Sequence, residues 1–144
     1  MYTEVVDRIT IRPLRNGETE VVQAVFDRLG DRSRHLRFGG AKSMLTPRDL
    51  ELLALVDGNH HVLVALIERE PIGIARLVRE GATAEVAVEV ADEWQGRRVG
   101  TILMDRLAAD ARAAGIERLY AFVAAENTAS RALMRHAAVR VSVA

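Results

Sequence analysis

Apolar residues recur along the chain with two periods, and the period changes wherever glycine, proline or asparagine interrupts it. Arg8–Leu14 (RITIRPL) alternates apolar and polar positions, which predicts a strand with one buried face. Asn16-Gly17 breaks it. Val21, Val22, Val25, Phe26 and Leu29 then fall at helical spacing, predicting a helix over Glu18–Leu29 closed by Gly30. Asp31–Met44 is basic, carries neither period and reads as irregular. Thr46-Pro47-Arg48-Asp49 is a helix start: Thr46 can cap, Pro47 suits the first turn, and Asp49 complements the helix dipole. Leu50, Leu52 and Leu53 give that short helix an apolar side, and Asp57-Gly58-Asn59 ends it.

Three strands follow in quick succession. His60–Glu68 is rich in Val, Leu and Ile, Arg69-Glu70-Pro71 turns the chain, Ile72–Arg79 is the next strand, and Glu80-Gly81 turns again. Thr83–Val90 alternates strictly, with Val86, Val88 and Val90 on one face and Glu85, Ala87 and Glu89 on the other. The short connections make these strands antiparallel. Val99–Ala114 is a long helix burying Val99, Ile102, Leu103, Leu107 and Ala111, stopped by Gly115. Arg118–Ala124 is a buried strand, Asn127 caps a last helix reaching about His136, and Val139–Val143 is a final short strand. A strand–helix–strand unit from Thr83 to Ala124 implies a right-handed crossover and a parallel pair. The expected fold is therefore a mixed α/β sheet, mostly antiparallel, with one parallel pair and helices on both faces. Its 144 residues suit one domain spanning the whole chain.

Composition narrows the function classes. With 49% hydrophobic and 28% charged residues the chain is an ordinary globular sequence. Lys plus Arg equals Asp plus Glu at 20 each, and there are only three Phe, two Tyr and one Trp, which argues against nucleic-acid binding. No apolar run reaches spanning length and the N-terminus lacks a signal-peptide core, so no membrane partner and a cytoplasmic location are expected. The absence of cysteine excludes disulfides, thiolate metal sites and an acyl-cysteine intermediate. His60 and His61 start a strand and point to opposite faces, and His35 and His136 lack acidic or cysteine partners at ligand spacing, so no metal site is expected.

The segment with chemistry is Val88–Thr101 (VEVADEWQGRRVGT), where a strand passes through a short loop into a helix. Gln95-Gly96-Arg97-Arg98-Val99-Gly100-Thr101 stands at the helix entrance. Unpaired N–H groups, glycine and two adjacent arginines there describe a diphosphate cradle. On local spacing alone the same residues equally describe a tight strand-to-helix turn with solvated arginines. Gly-Lys followed by Ser or Thr, as a P-loop needs, is absent, and the turn comes too late for a dinucleotide fingerprint.

Gln95-x-x-Arg98-x-Gly100 resembles the Gln/Arg-x-x-Gly-x-Gly/Ala motif of the GNAT superfamily of N-acetyltransferases. Val90-Ala91-Asp92-Glu93-Trp94-Gln95 is similar to that family's run from its fourth strand into the pyrophosphate loop, and Asn127-x-x-Ser130-x-x-Leu133 to its late helix. The likeness covers nearly the whole chain. It implies an enzyme that moves an acetyl group from acetyl-CoA directly to an amine. Val88 and Val90 would pair with the pantetheine arm. Gln95, Gly96, Arg97, Arg98, Val99, Gly100 and Thr101 would hold the pyrophosphate, and Asn127 and Ser130 would flank the cofactor arm. The strands at Val90 and Ala121–Val123 would splay to admit the thioester.

Four departures accompany the resemblance. Arg98 stands at the first motif glycine and is strained if that position needs a positive φ. Met134 stands where a tyrosine general acid is common. Ala138-Val139 replaces Gly-Phe, and the final strand pair is represented by one strand. These motivate the alternative of a catalytically degenerate acyl-CoA-binding sensor or scaffold.

Transfer to an amine needs a base, because an alkyl ammonium has a pKa near ~10. Ala84-Glu85-Val86-Ala87 is similar to the Ala-Glu-Val/Ile-Ala stretch of the bacterial protein-lysine acetyltransferase branch, which makes Glu85 the leading base and Glu89, on the same face, the alternate. If both enter one pocket, repulsion would raise one pKa. Ser33-Arg34-His35-Leu36-Arg37-Phe38 resembles a second stretch of that branch. The acceptor is then an amine, on a protein lysine or a small molecule, and Arg34 and Arg37 could steer an acidic surface, unless this stretch is simply solvated. Tyr120 and Ser130 are possible proton donors. The short tail leaves a sheet edge that a second copy could cover, giving a possible homodimer.

Overall fold

The computed structural model describes residues 8–40 and 42–143. Six strands form one sheet in sequential order: β1 (Ile9–Pro13), β2 (His60–Ile67), β3 (Glu70–Glu80), β4 (Thr83–Val90), β5 (Arg118–Val123) and β6 (Arg140–Val143). β1 to β4 are antiparallel, whereas both β4–β5 and β5–β6 are parallel. The mixed α/β class is as expected, but there are two parallel pairs instead of one. The second arises because α5 (Thr128–His136) returns the chain to the same end of the sheet before β6 begins.

Each sheet face holds its own core. α4 (Val99–Ala113) and α5 cover one face, where Leu63, Ile72, Val86, Leu103, Met104, Leu107 and Met134 are buried. α1 (Thr19–Asp27) and α3 (Pro47–Leu53) cover the other, around Val22, Val25, Phe26, Val62, Val64 and Ile74. Alternation along β2 explains the division: Leu63 and Ala65 enter the first core, Val62 and Val64 the second. Thr46 and Asp49 form a reciprocal capping box on α3, as its start sequence implies. Among the described residues no helix is long and apolar enough to cross a membrane.

Two local expectations are corrected. The β2–β3 turn lies on Glu68-Arg69, both left-handed at φ 49° and 69°, the conformation of a tight two-residue hairpin. Pro71 sits inside β3, tolerated where Ile72 bulges out of register opposite Ala65 and Leu66. The stretch read as irregular contains α2 (Asp31–Phe38). α2 buries no residue completely, so it has no apolar period to reveal it; Arg34 and Phe38 pack on Phe26, and polar links tie its two ends.

Candidate active site

β4 and β5 pair only over Thr83–Glu85 and Arg118–Tyr120, and then separate. The ladder to β3 fixes which way β4 points its backbone. Ala91 N–H donates to Ile72 O (2.8 Å), so Ala87 and Glu89 direct their main-chain groups at β3, while Val88 and Val90 direct theirs into the gap. The gap opens into a cleft of about 800 Å³ between α2 on one side and α4 and α5 on the other. The Val90 carbonyl already accepts a hydrogen bond from Gln95 Nε2 (2.9 Å), and Val88 is left with an uncommitted N–H and C=O at the split.

Past Val90 the chain makes a single 3-10 turn (Asp92–Trp94), extends through Gln95, and turns through Gly96 at φ 73° and Arg98 at φ 67° into α4. Arg98 is the N-cap residue and no side chain caps the helix, so the first amides of α4 face the cleft end unsatisfied. A Cβ on Gly100 would lie 3.0 Å from Leu133 Cδ2, and this glycine sets how closely α4 approaches α5. Gln95, Gly96, Arg98, Val99, Gly100 and Thr101 all line the cleft with Val88, Val90, Asn127 and Ser130. Arg97 does not; its guanidinium lies 5.2 Å over the Trp94 ring, which packs on the core. Asn127 Oδ1 accepts from Ser130 N–H (3.2 Å), capping α5 as its sequence position implies. Tyr120 is not among the residues that line the cleft, whereas the Ser130 side chain is at its wall.

The two glutamates of β4 have different surroundings. Glu85 is half-buried, lines the cleft, and has no ion pair among the described residues. Glu89 is 7% exposed and lies between two guanidinium groups. Arg76 Nη2 donates to its Oε1 (3.2 Å), and Arg37 Nε lies 2.6 Å from Oε2, too far off axis for a formal hydrogen bond. Arg76 also donates to Leu53 O (2.9 Å). Burial lowers the Arg76 pKa, and the Glu89 charge opposes that shift. Glu89 thus lines the same cleft as Glu85 but is paired with two cations, whereas Glu85 is not.

Arg34 and Arg37 do not face outward to steer an acidic surface. Arg34 donates to Ser43 O and Phe26 O (both 3.1 Å) and stacks 4.1 Å over Phe26, while Arg37 holds Glu89. Two of the histidines find acids from distant parts of the chain, His61 Nε2 at 2.8 Å from Asp110 and His136 at 3.4 Å from Asp105, while His60 pairs locally with Asp57. Met134 is 2% exposed at the cleft floor. Sequence reasoning missed the Arg37–Glu89–Arg76 cluster, although an arginine inside the apolar run of β3 (Ile74-Ala75-Arg76-Leu77-Val78) is a signal that a buried counter-charge must exist.

Comparison with known proteins gives consistent results. The family model described as "Acetyltransferase (GNAT) family" matches residues 25–138. The chain is 33% identical over 132 residues to the acetyltransferase PA5475 of Pseudomonas aeruginosa, covering 87% of this chain and 71% of that protein. It is 40% identical over 91 residues to acetyltransferase Pat of Mycolicibacterium smegmatis, covering 59% of this chain and only 27% of that longer protein. The GNAT domain of S. lividans PAT superposes with a TM-score of 0.82 at 30% identity, covering 88% of this chain and 78% of that one.

Proposed function

We propose that this chain, which belongs to the acetyltransferase (GNAT) family, takes an acetyl group from acetyl-CoA and passes it directly to an amine, with a protein lysine as acceptor. The family supports acyl transfer to an amine; acetyl-CoA as donor and lysine as acceptor are our reading. One observation carries it. β4 and β5 part after Glu85 and Tyr120, and the opening leads from the free backbone of Val88 to the uncapped start of α4. A thin amide-containing arm fits the split, and a diphosphate fits the helix entrance.

Each residue then has a defined task. The amides from Gly96 to Thr101 hold the diphosphate, and Arg98 adds charge beside it. Val88 N–H donates to the acetyl oxygen as negative charge develops there. Glu85 takes the proton that an incoming ammonium must lose before its nitrogen can attack. When bound, acetyl-CoA supplies the activated acyl group and a thiolate leaving group. Lysine as acceptor rests on the Ala84-Glu85-Val86-Ala87 likeness to bacterial protein-lysine acetyltransferases. Pairing of two copies is a further part of this reading, because the outer edge of β6 carries the exposed Val143 and no partner strand among the described residues.

Calorimetric titration with acetyl-CoA tests the donor site: one-site saturation is expected, abolished by Gly100→Trp, which cannot fit against Leu133. Thiol release with lysine peptides tests the acceptor. Glu85→Gln should remove turnover and spare acetyl-CoA affinity; equal turnover in the variant would exclude Glu85 as the base.

A further inference from the structure

α2 contributes Ser33, His35, Leu36, Arg37 and Phe38 to the cleft wall, yet buries none of its residues completely. Both its ends are tied to one stretch of chain, the end of β4 and the loop after it. At the C-terminal end the tie is Arg37 to Glu89. At the N-terminal end the cap residue is Gly30, which has no side chain to accept from the first turn. Asp92, from the loop that leads into the cradle, accepts from this helix start instead. Its Oδ2 accepts from Gly30 N–H (3.0 Å) and its Oδ1 accepts from Ser33 Oγ–H (2.6 Å). Gln95 Nε2 also donates to Ser33 Oγ (3.2 Å), and Asp92 N–H donates to Arg28 O (3.0 Å). The approach is so close that a Cβ on Gly30 would lie 2.5 Å from Asp92 Oδ2. Asp92 itself does not line the cleft.

We propose that Asp92 is a positioning residue that couples the two halves of the cleft: occupation of the cradle by the cofactor fixes loop 92–95, and through Asp92 orders helix α2, the wall against which the acceptor docks. The inference rests on the reading of Gly96–Thr101 as the cofactor cradle. Its physical basis is that a helix with no fully buried residue, packed on Phe26 only through Arg34 and Phe38, has low local stability, so contacts at its N-terminal end weigh heavily in its order. A ligand that immobilises one partner of those contacts lowers the entropy lost in making them. Cofactor binding would then favour acceptor binding, and the acceptor would favour the cofactor equally.

Hydrogen exchange of the full chain, with and without saturating coenzyme A, tests this without any acceptor. Protection is expected at 96–101 and also at α2, where exchange should slow about fivefold, the equilibrium effect of one ordinary hydrogen bond. In Asp92→Ala the protection at 96–101 should persist while the α2 response disappears. Asp92→Asn should restore it, because the amide oxygen can accept from Gly30 and its NH₂ can donate to Ser33. A purely structural role would speed α2 exchange equally with and without ligand, and would overturn the coupling. So would α2 protection that survives undiminished in Asp92→Ala, since it would then come from direct contact. Protection confined to 96–101 in the native chain also overturns it. No protection anywhere would instead remove the cradle assignment itself. If Asp92→Ala does not fold, Ser33→Ala removes one of the two links and is read in the same way.

Discussion

Arg98 gives the sharpest quantitative test. It occupies the left-handed region at φ 67° and ψ 12°, where an L-residue other than glycine or asparagine is disfavoured by about 1–2 kcal/mol. Arg98→Gly removes that strain and adds about 0.5–1 kcal/mol of unfolded-state entropy, leaving a net gain of up to ~1 kcal/mol. For a chain of this size that gain raises Tm by about 2–4 °C. Arg98→Ala keeps the strain and is the control, since both variants lose the guanidinium. Glycine should exceed alanine in stability by up to ~1 kcal/mol in urea unfolding, the relief of the positive φ less the extra chain entropy of glycine. The same pair should lose acetyl-CoA affinity to a similar degree, about five- to tenfold, the scale of one exposed charge-assisted contact. Equal stabilities of the Gly and Ala variants would refute the positive φ. Undiminished affinity in both would refute the phosphate role of Arg98.

Three further outcomes follow from the same structure. Ala138 also stands where the resembled family carries glycine and is left-handed at φ 59°, so Ala138→Gly should raise the urea midpoint by the equivalent of up to ~1 kcal/mol. Glu89→Ala leaves buried Arg76 and the adjoining Arg37 without a counter-charge and should destabilise by about 3–5 kcal/mol in urea unfolding, with Glu89→Gln milder. Hydrogen bonds from Arg12 Nη1 and Nη2 (2.8 and 3.0 Å), and from Arg15 N–H (2.6 Å), hold the Glu18 carboxyl below its ordinary pKa. A depressed carboxyl pKa gives stability that is full above the unfolded value and lost as pH falls through the folded one. Urea midpoints between pH 7 and pH 3 should therefore fall less steeply for Glu18→Gln than for the native chain.

What the sequence disclosed, and what it withheld, follows from how each element is held. α1 and α4 show in the sequence because each buries one stripe, and β2 to β4 because their β-branched runs fill two cores. Gly96 and Gly100 could be placed at a helix entrance because a left-handed turn and a close approach to Leu133 restrict residue type there. α2 could not be placed, because Arg37 finds Glu89 on β4 and Ser33 finds Asp92 beyond it, and neither partner leaves a local period. The same absence hid the two ion pairs of Glu89. Alternation alone sets it beside Glu85, and only the tertiary placement of α2 over that end of β4 separates an ion-paired anchor from a free carboxylate. Arg34 and Arg37 look solvated in sequence for the same reason.

Met134 decides what pH profile the reaction should show. It is 2% exposed at the cleft floor, and a thioether has no proton to give. Tyr120 does not line the cleft. The leaving thiol, taken with the ~8.5 of an ordinary thiol, lies only about one and a half units above neutral pH, so its departure as thiolate costs only ~2 kcal/mol. A site with Glu85 as base and no titrating acid should therefore show kcat/KM rising with pH as the amine deprotonates, with no descending alkaline limb through pH 9. A limb with an apparent pKa between about 7 and 9 would reveal a general acid in this cleft and refute the assignment of Met134 as a position without an acid. Met134→Tyr asks the converse. It forces a larger side chain into a filled position, at about 1–3 kcal/mol. If its hydroxyl reaches the leaving sulfur, it should raise kcat and create the descending limb that the native chain lacks.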